Sequence, residues 1–106
     1  MTLFTTTKET LVAAITDRRV VRFWYNGGFR VLESHAYGRG SKGHDLLRAY
    51  QTEGHSESGQ HEGWKLLIAS GPDGLSQLTM LDEPFPGPRP EYRQNDKAMV
   101  EIYAQL

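Results

Sequence analysis

The sequence predicts a mainly β fold: a five-stranded, strongly bent antiparallel sheet approaching closure, with one short helix at each end. Three observations carry this reading. Five short runs rich in β-branched, aromatic and aliphatic residues follow one another along the chain. Between them lie clusters of glycine, asparagine, proline and serine, the residues that tight turns require. The chain has 106 residues and no cysteine, enough for one hydrophobic core and nothing for a disulfide framework.

Thr6-Thr7-Lys8-Glu9 reads as a capping box, and Leu11, Ala14 and Ile15 follow at helical spacing, so a helix is expected over about 7–17. Val20-Val21-Arg22-Phe23-Trp24-Tyr25 then favours a strand. Asn26-Gly27-Gly28 supplies the positive φ angles of a hairpin turn. The returning strand is expected from Phe29 to about Tyr37, where Gly38, Gly40 and Gly43 open a loop. A third strand falls at Leu46–Gln51. The stretch from Thr52 to Gly63 has no apolar residue and reads as a mobile connection.

Trp64–Ala69 reads as a fourth strand, Ser70-Gly71-Pro72-Asp73-Gly74 as a turn, and Leu75–Leu81 as a fifth strand. Four prolines between Pro84 and Pro90 remove amide donors, so this segment is expected to lie extended across the surface. Asn95 is placed to cap a last helix, with Met99, Ile102, Tyr103 and Leu106 forming one apolar stripe. The chain 1–106 thus reads as a single domain, with a barrel over about 20–82, a Pro-rich arm over 83–94 and a terminal helix over about 95–105.

Hydrophobic residues make up 38% of the chain and charged residues 24%, too apolar for a disordered protein. Nothing approaches the ~20 apolar residues of a membrane-spanning helix, and the start lacks the pattern of a secretion signal, so a cytoplasmic protein is expected. The net charge is −1, but residues 1–50 carry +4 and the remainder −5. Contact with an anion or nucleic acid therefore requires a local patch, because bulk charge does not supply it.

The segments Leu11–Ile15, Val20–Tyr25, Arg30-Val31, Leu47-Arg48-Ala49-Tyr50 and Trp64–Ile68 together resemble a WYL domain over roughly residues 9–82. The tripeptide that names that family falls on Asp45-Leu46-Leu47, retaining only its leucine. Ser34 stands where a proline is typical, and Lys65 corresponds loosely to a basic residue of the fourth strand. The portion from Arg89-Pro90-Glu91-Tyr92 to Met99 is similar to that of small stand-alone bacterial proteins carrying this domain. The resemblance implies an SH3-like or Sm-like small barrel. It also implies ligand sensing through basic residues, in a family associated with transcription regulation, phage defence and DNA-damage responses.

Strand alternation sets Arg48 and Tyr50 on one face of the third strand. Arg30 on the second strand and Arg39 and Lys42 in the glycine-rich loop complete a candidate ligand-binding patch, with His35 beside it. Such a set suits a phosphate or nucleotide, since guanidinium forks bind phosphate and a ring stacks on a base. The expected function is a non-enzymatic regulatory binding module for a nucleotide or nucleic-acid-type ligand. A protein–protein adaptor or homodimer is the alternative, and a hydrolase or nuclease the second.

The loop Gly38-Arg39-Gly40-Ser41-Lys42-Gly43 lacks phosphate-loop spacing. His35, His44, His55 and His61 lack zinc-site spacing, so no metal and no cofactor is expected. Glu33 and Asp45 near His35 or His44 could serve acid–base chemistry, but no catalytic residue is assigned. Trp64 alternates with Leu66 and Ile68 and reads as core. Trp24 is ambiguous between a core and a contact residue.

Overall fold

The computed structural model describes residues 6–57 and 59–106. Residues 1–5 of the amino-terminal segment and Ser58 of the long connection lie outside them. The elements in chain order are α1 (Thr7–Asp17), β1 (Arg19–Tyr25), β2 (Gly28–Gly40), β3 (Asp45–Gly54), β4 (Gly63–Ile68), β5 (Ser76–Pro84) and β6 (Met99–Gln105).

The first helix starts at the expected cap. Thr6 is extended, its hydroxyl accepts the Glu9 amide at 3.0 Å, and it donates to the Glu9 carboxylate at 2.9 Å. Arg18, left-handed at φ 53°, ends α1 by donating its N–H to the carbonyls of Ala14 and Ile15. The helix buries Leu11, Ala14 and Ile15 against the sheet, and all three are nearly inaccessible.

Five strands lie antiparallel in the order β4-β3-β2-β1-β5. The β1–β2 hairpin turns at Asn26 and Gly27, both at positive φ, as the Asn-Gly pair predicts. The two outer strands, β4 and β5, are joined by only the short 69–75 segment, so the sheet must curl until its edges approach. They meet at one end, where the Leu75 N–H donates to the Ile68 carbonyl at 3.1 Å and the Ile68 N–H to the Tyr25 hydroxyl. No ladder joins β4 to β5 among the described residues, so the sheet is curled but not a closed barrel. Val21, Phe23, Leu32, Leu47, Ala49 and Leu67 fill its concave side.

The carboxyl-terminal helix expected over 95–105 is instead the strand β6, which makes six strands in place of five. The reason lies in β2, which is longer than its hydrophobic pattern suggests and runs on through Gly38 to Gly40. β1 pairs only with residues 28–32 of its edge. Backbone groups further along would be buried without partners, a cost larger than any helix preference of the last segment. β6 supplies those partners through Ala36↔Gln105, Tyr37↔Ala104 and Gly38↔Ile102. The strands pass so closely that a Cβ on Gly38 would collide with the Glu101 carbonyl.

The connection between β3 and β4, expected to be mobile, is tied down by one buried side chain. The Gln51 amide donates to the carbonyls of both His55 and His61, at 2.9 and 3.0 Å.

Candidate functional site

The segment 85–98, between β5 and β6, is hereafter the arm. It lies extended as its prolines require, but it is docked rather than free, and its seat is a bulge in β2. Ser34 pairs with Ala49 and Ala36 with Arg48, so His35 is the extra residue on its strand. Released from the ladder, the His35 carbonyl accepts from the Leu106 N–H at 2.9 Å and from the Tyr92 hydroxyl at 3.1 Å.

The His35 ring is fully buried and both its nitrogens are engaged. Nε2 lies 3.1 Å from the Arg89 amide and can only accept, so Nδ1 carries the proton and donates to the Glu33 carbonyl at 2.8 Å. Three rings enclose the imidazole: Trp64 at 4.7 Å, Tyr92 at 5.1 Å and Phe85 at 6.0 Å. Burial pushes the His35 pKa below its ordinary value, against the pull of the Glu33 carbonyl and carboxylate.

Two bidentate Arg–carboxylate pairs of opposite sense clamp the arm to the sheet. Glu33 of β2 accepts from Arg89 of the arm at 2.8 and 3.1 Å, while Arg48 of β3 donates to Asp96 of the arm at 2.7 and 3.3 Å. The carboxylates are the buried partners, with side chains 9% and 11% exposed. The Arg48 hydrogen bonds hold the Asp96 carboxyl below its usual range. The hydrogen bonds that Arg89 donates to Glu33 raise its own pKa.

Between arm and sheet stands Trp64. Tyr92 stacks with it at 6.2 Å and 21°, and Tyr50 meets it edge-on at 5.6 Å. The Arg89 guanidinium lies 4.2 Å from the centre of the Tyr50 ring. The Tyr50 hydroxyl donates to Glu62 at 3.0 Å, a bond that raises its pKa.

Two adjoining clefts share Trp64 and Glu91 as walls. One, of about 370 Å³, is completed by Arg48, Tyr92, Arg93 and Lys97. The other, of about 480 Å³, is completed by Tyr50, Gln60, Glu62 and Arg89. Arg93 and Lys97 are exposed, and neither makes a hydrogen bond or ion pair with a described residue.

Of the residues that the sequence nominated, His35, Arg48 and Tyr50 come together here. The other three lie elsewhere. Arg30 is 4% exposed and donates to the Tyr25 carbonyl and the Gln51 side chain, with burial lowering its pKa. Arg39 is on β2 rather than in a loop, paired with Glu101, and Lys42 is in the turn beyond it. Arg30 and Arg39 are separated by up to about 30 Å along the strand at ~3.3 Å per residue.

Sequence reasoning placed Trp64 in the core and left Arg89, Tyr92, Arg93, Asp96 and Lys97 out of the site. The available signal was compositional: two tyrosine-flanking arginines beside an extended proline segment that had to lie against something. Glu33 and Asp45 do not form an acid–base set with histidine. The Glu33 carboxylate holds Arg89, and Asp45 accepts from the hydroxyls of Tyr37 and Tyr103. Comparison with protein-family models, curated proteins and solved structures returned no match.

Proposed function

We propose that the chain is a non-enzymatic binding module whose arm–sheet cleft takes an anionic nucleotide or nucleic-acid-type ligand. The observation that carries this reading is Trp64, a partly exposed ring shared by two clefts, with the uncommitted cations Arg93 and Lys97 on one side. A base stacks on such a ring, and phosphates go where cations are not already neutralised. In the larger cleft Arg89 is committed to Glu33, leaving Glu62 and the shared Glu91 unopposed, whereas in the smaller cleft Arg93 and Lys97 outnumber that shared Glu91. Phosphate is therefore directed to the smaller one. The curled sheet with its amino-terminal helix supports the SH3-like or Sm-like architecture that the WYL resemblance implies.

The test uses Trp24→Phe, which leaves Trp64 as the sole tryptophan. Short single-stranded oligonucleotides and nucleoside monophosphates should quench its fluorescence. Arg93→Ala with Lys97→Ala should weaken oligonucleotide binding and reduce the log–log salt slope by about 1.4, at ~0.7 per phosphate contact on a single strand. No quenching by either ligand class, or an unchanged slope, overturns the proposal.

A second reading, an adaptor or homodimer, is favoured by β4. This edge strand carries the exposed Leu66 and has no neighbour on its outer side among the described residues. It predicts a mass that rises with concentration and changes little with salt.

A further inference from the structure

Clamps and stacking hold the arm from its flanks, but its only bond to the buried imidazole is one that requires that ring to be neutral. We infer that His35 is a proton-operated latch: the neutral ring docks the arm over the sheet, and a proton on Nε2 releases it. With Nδ1 already donating to the Glu33 carbonyl, the incoming proton can go only to Nε2. There it faces the Arg89 N–H, so an acceptor becomes a second donor and the 3.1 Å bond is lost. A charged ring would also be left fully buried among Trp64, Phe85 and Tyr92.

The surrounding charges do not rescue the protonated form. On the same strand, the Glu33 carboxylate favours it, but that group is held by Arg89 of the arm, whose guanidinium opposes it. From β3 come Arg48, neutralised by Asp96 of the arm, and Tyr50. The arm adds Tyr92, and β4 adds only Trp64. Swinging the arm away is the route that returns the ring to water. The arm forms one wall of both clefts, so its release dismantles the ligand site. That consequence rests on the function proposed above; the latch itself does not.

The experiment follows the ligand-free protein by NMR from pH 8 to pH 5, reading the imidazole nitrogens of His35 and the backbone amides of the arm. The two signals should shift with one midpoint. The undocking constant should rise about tenfold per pH unit below the ordinary histidine value of 6.5, until the docked state itself takes up the proton. His35→Gln, whose side-chain carbonyl can accept the Arg89 N–H without titrating, should keep the arm docked at pH 5. If that variant fails to fold, the common midpoint in the wild-type protein decides. An imidazole that stays neutral while the arm leaves, a proton taken up near the ordinary 6.5 with the arm still docked, or the same pH response in His35→Gln each overturns the latch. Because no ligand is present, these outcomes stand apart from success or failure of nucleotide binding.

Discussion

The sheet has two coverings of different chemistry. On its concave side α1 is held by Leu11, Ala14 and Ile15 packed against Val21, Phe23 and their neighbours, contacts without charge or direction. On the other covering, the arm, Phe85 is the deeply buried apolar side chain, and the other contacts include two guanidinium–carboxylate pairs, hydrogen bonds with His35 and Arg18, and the stacking of Tyr92 on Trp64. Apolar packing responds little to pH or salt, whereas each arm contact depends on a protonation state or a precise angle. The helix is built to stay, and the arm is built so that it can be released.

The largest test of that contrast removes a core ring. Phe23→Ala should cost about 3–5 kcal/mol in urea unfolding and loosen both coverings together, because they share the sheet. Glu33→Ala should cost less, about 1–3 kcal/mol, by stranding Arg89 and the arm. Hydrogen exchange should then quicken in the arm while α1 keeps its protection. Equal loss in both regions would mean that they are not separable.

Acid should act selectively in the same way. The folded-state pKa of His35 is depressed, so its contribution is fully present above the ordinary 6.5 and is lost as pH falls below that. Asp96, also depressed, contributes above its ordinary 3.8 and loses that contribution at lower pH. Acid titration should therefore loosen the arm in two stages, histidine first, with the helical circular dichroism unchanged through the first. The smallest effect is at the helix cap: Thr6→Ala should cost about 1 kcal/mol and leave the arm untouched.

The helix, the Asn-Gly hairpin and the succession of the first five strands along the chain were legible because each rests on local chemistry, whereas the pairing of β5 with β1 rather than β4 was not. The capping box, the paired positive-φ residues and the aromatic strand runs all act within a few residues of themselves. β6 was not legible, because Met99, Ile102, Tyr103 and Leu106 do carry a helical period. What overrides it is the unpaired second half of β2, visible only once the true length of that strand is known. For the site, alternation correctly paired Arg48 with Tyr50. It could not foresee the His35 bulge, which turns that ring toward the arm, nor the fold-back that brings Arg89 and Tyr92 onto Trp64. Arg30 reads as a binding residue because its strand neighbours that of Arg48 and Tyr50, but its guanidinium lies inside, beside Gln51.

The most direct test of the account maps a short single-stranded oligonucleotide onto the protein by amide chemical-shift perturbation. The account predicts shifts concentrated on Arg48, Tyr50, Trp64 and residues 89–97, with α1 and the β1–β2 turn silent. Shifts centred instead on Arg39 and Lys42, or no shifts at all, would contradict it.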